Sequence, residues 1–342
     1  MSAAIKRLSV ASSQRPATEP ASDDKLIGSS PPILKVLQTV HQVAPSKATV
    51  FITGESGTGK EVCAEMIHRL SGRAEKPFVP LNCGAIPRDL IESELFGHLK
   101  GSFTGAVCDR EGAAALAHGG TLFLDEICEL EAALQTRLLR FLQSGLIQPV
   151  GASTQRAVDI RVVCATNRDP RLEVAEGRLR KDLFYRLHVI PIEMPDLAKR
   201  GADVISLAEH FLAMYSAEEG KFFNGLSTEV QDCFCTYGWP GNVRELQNAI
   251  RRIVVLNDGP QVEMHMLPDD LNPHCQNILP FGNANGPVSQ RSAEPELWMI
   301  ERDAIEQAIR ACGGSIPQAA RQLGVSPSTI YRKKEAWLTG GA

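Results

Sequence analysis

The segment GESGTGK, residues 54–60, restricts the possible fold of this chain more than any other feature. It fits the pattern G-x-x-x-x-G-K, directly follows the apolar run ATVFI (48–52) and precedes a stretch with helical periodicity. In that setting the glycines allow backbone N–H groups to wrap a phosphate chain, and the helix N-terminus adds its positive end. The sequence therefore predicts that a nucleotide binds where a buried strand runs into a helix.

Short apolar runs and amphipathic segments alternate in the first half of the chain. The runs are ATVFI, FVPL (78–81), TLFL (121–124) and IRVVCA (160–165), and the segments between them include 61–70 and 134–145. This alternation is typical of an α/β fold in which a parallel P-loop sheet is flanked by helices. After about Pro195 the strand pattern fades, and helices are predicted at 203–219, 226–237 and 242–256.

These changes of character divide the chain into five predicted parts. They are a flexible tail or linker (1–25), an α/β ATPase subdomain (26–196), a helical lid subdomain (197–271), a Pro/Gly-rich linker (272–294) and an all-α helix-turn-helix domain (295–342).

Composition limits the class of protein. The nine cysteines show no metal-ligand spacing, which favours reduced, packed thiols. The net charge of −4 argues against a protein that coats nucleic acid, but not against a small basic module. Since no apolar stretch approaches the ~18 residues of a membrane span, we expect a cytoplasmic protein without membrane contact.

Polar residues follow the predicted strands at the edge where an α/β fold binds its ligand. Asp125 and Glu126 end the run TLFL, so we expect Asp125 to hold Mg²⁺ and Glu126 to orient and deprotonate the attacking water. Lys60 should reach the β- and γ-phosphates of ATP. Glu61 occupies the place of the usual Ser or Thr after this lysine, so the metal ligand must come from elsewhere.

Two further predicted strands end in Asn82 and in Thr166-Asn167. Each asparagine taken alone could be a loop-capping residue. Because polar strand ends converge on one edge, a sensor of the γ-phosphate is the favoured interpretation.

The order of motifs along the chain resembles one family. GESGTGKE, GSFTGA, GGTLFLDEI, ATNRD, LFYRL and WPGNVREL occur in the order found in the AAA+ domain of bacterial sigma-54-dependent transcription activators, also called enhancer-binding proteins. The resemblance covers roughly residues 26–271 and the C-terminal module. It implies an ATPase that uses ATP and Mg²⁺ and acts as an oligomer, by resemblance a hexamer.

The resemblance also implies roles for individual residues. Asn82 would hold the catalytic glutamate until γ-phosphate is sensed, and Asn167 would be the first sensor. Arg180 and Arg186 would be fingers that reach a neighbouring subunit's nucleotide, and Arg244 would be the second sensor. Without the family, Arg180 and Arg186 would be interpreted as part of a solvated basic helix. The residues predicted to bind the nucleotide are Gly54, Glu55, Ser56, Gly57, Thr58, Gly59, Lys60, Glu61, Gly119, Gly120, Asp125 and Arg244.

The loop GSFTGA has no group able to do acid–base chemistry, and we expect its Phe to be exposed. An exposed aromatic side chain indicates contact with a partner, and the two glycines can act as hinges. By resemblance the partner is sigma-54. The predicted contact residues are Gly101, Ser102, Phe103, Thr104, Gly105 and Ala106.

Some positions depart from the family pattern. The chain is similar to the quorum-sensing, LuxO-type branch in carrying Ala114-Ala115 where most members have Phe-Glu. Leu99 replaces the usual acidic residue, Ala198 replaces an arginine, and Ser102 replaces the usual alanine of the loop motif. We expect no receiver domain in this chain, with SAAIKRLS as the stub of one or a short native tail.

The segment 316–335 predicts a helix-turn-helix that resembles the Fis-type module. Ala319, Ala320 and Leu323 would face inward from its first helix, as would Ile330 and Trp337 from its second, which Ser326-Pro327 would start. The predicted DNA contacts are Arg321, Ser328, Thr329, Arg332, Lys333 and Lys334. Apolar residues at helical spacing over 297–309 fit either a core face or a dimer face.

We interpret the chain as an activator that binds upstream double-stranded DNA and uses ATP hydrolysis to remodel the closed complex of sigma-54 RNA polymerase into an open complex, in quorum-sensing or two-component control. One alternative is a DNA-binding repressor that retains the AAA+ fold as scaffold, but such relatives typically lose the loop motif. Another is an AAA+ unfoldase, which would leave the helix-turn-helix without a role.

Overall fold

The computed structural model of the chain describes residues 26–268, 271, 305, 308, 309, 312, 315–323 and 325–338; the side chains of 322 and 334–338 are outside that description. The predicted tail (1–25), the linker (272–294) and most of the apolar pattern over 297–309 lie outside the described residues. The chain divides into two compact units, 1–279 and 280–342.

The described strands share the first unit. They are β1 (Val50–Thr53), β2 (Phe78–Asn82), β3 (Gly97–His98), β4 (Arg110–Glu111), β5 (Thr121–Asp125), β6 (Leu146–Ile147), β7 (Arg156–Ala157), β8 (Arg161–Thr166) and β9 (Ile190–Glu193). Five of them form a parallel sheet in the order β2-β5-β8-β1-β9. The pairs β3–β4 and β6–β7 are short antiparallel ribbons.

The described helices surround this sheet or follow it along the chain. They are α1 (Pro31–Val43), α2 (Lys60–Arg69), α3 (Arg88–Phe96), α4 (Ala113–Leu116), α5 (Ala132–Ser144), α6 (Pro170–Ala175), α7 (Lys181–Leu187), α8 (Asp203–Glu219), α9 (Thr228–Thr236), α10 (Asn242–Leu256), α11 (Ile316–Gln322) and α12 (Pro327–Leu338). The predicted helices at 203–219 and 242–256 have these bounds. The helix expected at 134–145 starts two residues earlier and ends at Ser144, because Gly145 follows it with φ +68°.

Both faces of the sheet are covered, as expected for buried parallel strands. Along β5, Leu122 and Leu124 pack in the cluster that includes α3, α5 and α7, whereas Phe123 packs in the opposite cluster with α1 and α2. A third cluster, built on Trp239 and Phe234, is the core of α8, α9 and α10. The α/β class and the helix-flanked parallel sheet are thus confirmed.

The strand β9 and the helix α1 were not expected from the sequence. Pro191 lies inside β9, and a proline normally argues against a strand because it cannot donate to the ladder. The strand order places β9 at one edge of the sheet and β2, which contains Pro80, at the other. Edge strands tolerate proline, so both outer strands accept it.

Candidate functional site

The phosphate loop between β1 and α2 has a backbone that only glycine adopts easily. Gly54, Gly57 and Gly59 have φ values of +152°, +78° and +97°. A Cβ on Gly54 would lie 2.9 Å from Met194, and one on Gly57 would lie 2.3 Å from the carbonyl oxygen of Gly241. The loop is therefore fixed both by its dihedral angles and by the elements packed against it.

Lys60, the first residue of α2, points its ammonium group into this loop. Nζ donates hydrogen bonds to the carbonyl oxygens of Gly54 (2.9 Å) and Glu55 (3.1 Å). Burial lowers the pKa of Lys60, and the nearby carboxylates of Glu126 and Asp125 oppose that shift. The ammonium group lies where phosphate oxygens could replace the two carbonyl oxygens as partners.

Asp125 and Asn82 end adjacent strands in register with each other. An Oδ1 atom of Asp125 accepts from the backbone N of Glu126 (3.0 Å), and Nδ2 of Asn82 lies 3.4 Å from its other oxygen. The Asn82 oxygen accepts from the backbone N–H groups of Gly84 and Ala85. In this structure Asn82 therefore contacts Asp125, rather than Glu126 as the resemblance implies.

Glu126 has φ +52° and ψ +46°, a left-handed conformation that costs a non-glycine residue of order 1 kcal/mol or more. Its Oε2 accepts from the backbone N of Asn167 (3.3 Å), at the end of β8. The strained turn thus brings the carboxylate of the first residue after β5 beside the first residue after β8.

A cavity of about 390 Å³ opens over these groups. Of the predicted site residues it is lined by Ser56, Gly57, Thr58, Gly59, Lys60, Glu61, Asn82, Asp125, Glu126 and Arg244. Its other walls include Leu26, Ile27, Leu207 and Phe211, which form an apolar side suited to a nucleobase. The polar and apolar sides together match a nucleoside triphosphate.

The assignment of Gly119 and Gly120 to the nucleotide is wrong. They precede β5, whereas Asp125 ends it. About 15 Å of strand therefore separates them from the edge of the sheet where Asn82 and Asp125 end their strands, which we call the catalytic edge. The backbone N–H of Gly119 donates to the carbonyl oxygen of Asp159 (2.8 Å). A Cβ on Gly120 would lie 1.9 Å from the carbonyl oxygen of Pro77. Gly120 thus serves a close backbone crossing at the amino end of the sheet, and Gly119, with φ +79°, turns the chain into it.

Arg244 and two residues that sequence reasoning missed attach the lid to the phosphate loop. Nη1 of Arg244 donates to Ser56 Oγ (2.9 Å). The buried Asn242 donates to Glu55 Oε2 (3.1 Å) and accepts from the backbone N of Leu197 (2.8 Å). The buried Arg200 donates to the carbonyl oxygen of Thr58 (2.7 Å). A signal for Asn242 exists in the sequence, because asparagine after Pro-Gly suits its φ of +53°.

Asp203, the first residue of α8, was missed as well. Its carboxylate accepts from the backbone N–H groups of Ser29 (2.7 Å) and Ser30 (3.0 Å) and from the Ser30 hydroxyl. This buried carboxylate holds the segment that carries Leu26 and Ile27 over the cavity.

Arg180 and Arg186 do not line the cavity of their own chain. Arg180 pairs with Asp182 (2.7 Å), and Nη2 of Arg186 donates to the carbonyl oxygen of Leu142 (2.9 Å). Both lie on or beside α7, on the side of the sheet's core built with α5. The structure does not bring them to the groups around Glu126.

The GSFTGA loop, residues 101–106, lies between β3 and β4. Gly101 and Gly105 have φ values of +79° and +109°, and a Cβ on either would meet no atom within 4 Å. Phe103 is half-buried, and its ring packs edge-on against His98 with 5.0 Å between ring centroids. The expected exposure of Phe103 is therefore wrong, because His98 shields one side of the ring; Thr104 is exposed.

The second unit carries the candidate DNA-reading residues. Ala319, Ala320 and Ile330 are buried together, and Ser326 Oγ accepts from the backbone N of Thr329 at the start of α12. These predictions are confirmed, but Leu323 is 36% exposed and does not join the core. Arg321, Ser328 and Arg332 are exposed, Thr329 and Lys333 are partly so, and the side chains of Lys334 and Trp337 lie outside the description.

Three family profiles match the chain in sequence. The sigma-54 interaction domain matches residues 26–193, the AAA+ ATPase lid domain matches 198–277, and the Fis family of bacterial regulatory proteins matches 296–336.

Curated relatives and solved structures agree with these matches. The chain is 58% identical to the regulatory protein LuxO of Vibrio cholerae over 314 residues, 91% of this chain and 69% of LuxO. It is 44% identical to the transcriptional regulatory protein ZraR of Escherichia coli over 92% of this chain and 69% of ZraR. Its fold is similar to that of NtrX from Brucella abortus solved with ADP, with a TM-score of 0.70 and 31% identity over 92% of this chain and 69% of NtrX. Within the described residues, no helix has both the length and the apolar character needed to cross a bilayer.

Proposed function

The chain belongs to the sigma-54-dependent transcription activators of the AAA+ class, and we propose that it drives promoter opening by coupling its ATP site to the GSFTGA loop. The loop lies in the connection that leaves β2 at Asn82, which is paired with Asp125 at the catalytic edge, and enters β5 at Thr121, at the opposite edge of the sheet. This connectivity is the observation that carries the proposal. A change at Asn82 on hydrolysis would reach the loop through α3 and β3, the stem that leads from the catalytic edge.

Each group at the edge has a proposed part in hydrolysis. Lys60 neutralises phosphate charge, Glu126 deprotonates water held near Asn167, and Arg244 reports nucleotide state to the lid. Among the described residues no cluster of three or more potential metal ligands is present. That fits Mg²⁺ bound by one protein carboxylate, Asp125, and by phosphate oxygens, since Mg²⁺ prefers oxygen donors and rarely occupies an all-protein cage. The bound ion would neutralise charge that develops on the transferred phosphoryl group.

We further propose that the active form is a ring, by family resemblance a hexamer. Arg180 and Arg186 lie away from their own cavity, so they can stabilise transition-state charge only in a neighbouring chain. The test mixes Arg186→Ala subunits with Glu126→Gln subunits, each inactive alone. Partial recovery of hydrolysis is expected, and no recovery at any ratio would remove the finger assignment.

DNA binding is proposed for the second unit, with a dimer reading half-sites about one helical turn (~34 Å) apart. Arg332→Ala should weaken binding by ~1–3 kcal/mol if the side chain contacts a base edge. Gln318→Ala, a truncation on the exposed side of α11, is the matched control. Because DNA and RNA polymerase are the partners, we propose action in the cytoplasm, under quorum-sensing or two-component control like that suggested by the LuxO resemblance.

The decisive experiment separates hydrolysis from promoter opening. Phe103→Ala, and less severely Thr104→Ala, should hydrolyse ATP and bind DNA but fail to form open complexes on a sigma-54 promoter. Val107→Ala truncates an apolar side chain that is 79% exposed just outside the motif, and it should activate normally. If both loop variants open the promoter like the parent, the loop is not the coupling element.

A further inference from the structure

The hydroxyl of Ser102 in the GSFTGA loop is buried without a partner. Its Oγ is shielded from solvent and makes no hydrogen bond to any described residue, although the backbone N–H of Ser102 donates to the carbonyl oxygen of Leu99 (3.2 Å). A buried hydroxyl that forfeits its bonds to water raises the free energy of the conformation that buries it. The cost falls on the present position of the loop, which we call the docked position.

Gly151, in the turn between β6 and β7, forms the surface on which Ser102 rests. A Cβ built on Gly151 would lie 2.7 Å from Cβ of Ser102, so the loop and the turn are in direct contact. Two backbone hydrogen bonds hold the turn to the base of the loop. The N–H of Leu99 donates to the carbonyl oxygen of Val150 (3.0 Å), and the N–H of Val150 donates to that of Gly97 (2.8 Å). The docking surface is therefore a fixed part of the fold.

Other contacts favour the docked position. The Phe103 ring packs on His98, which is 9% exposed. His98 is itself held by a hydrogen bond between its Nδ1 and Ser93 Oγ (2.6 Å). A hydrogen bond from the backbone N–H of Gly101 to the carbonyl oxygen of Ala106 (2.8 Å) closes the loop on itself. A closed loop can lift as one body, leaving His98 and Gly151 in place.

We propose that Ser102 is a positioning residue that sets how readily the GSFTGA loop leaves the docked position. The Phe103–His98 contact stabilises docking, and the unpartnered Ser102 hydroxyl opposes it because lifting returns the hydroxyl to water. Removing the hydroxyl should therefore shift the loop toward docking by about tenfold, or ~1.4 kcal/mol. The consequence for transcription rests on the proposed function, but the balance between docked and raised loop does not.

The test measures chymotrypsin cleavage after Phe103 in the full chain without nucleotide, sigma-54 or DNA. Each rate is divided by that of a synthetic peptide of residues 97–109 with the same substitution, which removes the effect of residue 102 on the protease. When opening is fast relative to cleavage, the ratio reports the raised population. Ser102→Ala should lower it about tenfold, and Ser102→Thr, which adds a methyl group against Gly151, should raise it.

Ser153→Ala makes the same change at an exposed hydroxyl in the turn between β6 and β7 and should leave the ratio at the parent's value. Cleavage after the buried Phe123 marks global unfolding. An unchanged or higher ratio for Ser102→Ala overturns the proposal, as does a parent cleaved after Phe103 no faster than after Phe123. A lower ratio without any change in open-complex formation would sustain the role of Ser102 and count against the proposed function.

Discussion

The phosphate loop and the GSFTGA loop are both glycine-rich, and both use left-handed backbone, yet they are built for opposite purposes. Gly57 and Gly101 have nearly the same φ, +78° and +79°. A Cβ on Gly57 would collide with the backbone of the lid, whereas one on Gly101 would meet nothing within 4 Å. Similar local sequence and dihedral angles therefore occur in a closely packed loop in one place and in a loosely packed loop in the other.

The polar groups of the two loops differ in the same way. In the phosphate loop, Ser56 accepts from Arg244, and Thr58 Oγ1 donates to the carbonyl oxygen of Glu55 (2.8 Å). In the GSFTGA loop, the Ser102 hydroxyl has no partner among the described residues. A fully bonded site holds one geometry for chemistry, and an incompletely bonded loop has less to lose by moving.

The largest effect is expected from Glu126→Gln, which acts on the rigid region alone. The amide cannot accept the proton of the attacking water, so ATP hydrolysis should fall by about 10²–10⁴-fold while ATP binding remains. Steady-state phosphate release measures ATP hydrolysis, and equilibrium nucleotide binding measures ATP affinity. Glu131→Gln, at an exposed carboxylate paired with Arg88, is the matched control and should hydrolyse like the parent. Equal hydrolysis by Glu126→Gln would remove the catalytic assignment.

Gly57→Ala should have the next largest effect, because strain and steric overlap act together. The left-handed conformation alone costs alanine ~1–2 kcal/mol, and the Cβ would approach the carbonyl oxygen of Gly241 to 2.3 Å. Either the phosphate loop or the lid must move, so ATP affinity should fall by at least tenfold. Gly177→Ala is the control, since Gly177 has φ +75° and open space around its Cβ position. If the two variants bind ATP equally, the packing difference between the two loops has no functional consequence.

Asn242→Ala tests whether the lid supports the phosphate loop through this one side chain. The substitution removes its bond to Glu55 and leaves the backbone N of the buried Leu197 without an acceptor, at a cost of ~1–3 kcal/mol. Chemical denaturation should detect the loss of stability, and ATP affinity should fall with it. Asn257→Ala removes only a bond to the carbonyl oxygen of Ile253 at the end of α10 and should cost less. A larger loss for Asn257→Ala would argue against Asn242 as the link.

Most of the catalytic edge could be predicted from the sequence, because Asn82, Asp125 and Asn167 lie at or just beyond the ends of short apolar runs. Lys60 could be predicted from the phosphate-loop pattern, whose last residue begins α2. Asn242 and Arg200 could not be found in this way, because their partners Glu55 and Thr58 are 187 and 142 residues away along the chain. Only the folded lid brings those pairs together.

The predictions for the pair Gly119-Gly120 and for Phe103 were wrong because local sequence does not report what lies opposite. Gly119 and Gly120 were assigned to the nucleotide, but they lie at the amino end of β5, where Gly120 packs against Pro77. Phe103 has polar and glycine neighbours in sequence, and its partner His98 lies on the preceding strand β3. In both cases the contact that decides the position of the residue is made by a residue outside the motif.

The smallest effect on the ATP site is expected from Gly101→Ala, which sharpens the comparison from the flexible side. Because nothing lies within 4 Å of the new Cβ, the cost is confined to the left-handed backbone, ~1–2 kcal/mol, and it should match that of Gly177→Ala. ATP affinity and hydrolysis should stay at the parent's values, since the loop contributes no residue to the cavity. Open-complex formation should nevertheless decline, because alanine narrows the backbone conformations through which the loop can lift. Gly177→Ala shares the strain but lies outside the loop, so it should open promoters normally. A loss of hydrolysis in Gly101→Ala comparable to that in Gly57→Ala would mean that the GSFTGA loop contributes to the ATP site. The contrast between the phosphate loop and the GSFTGA loop would then fail.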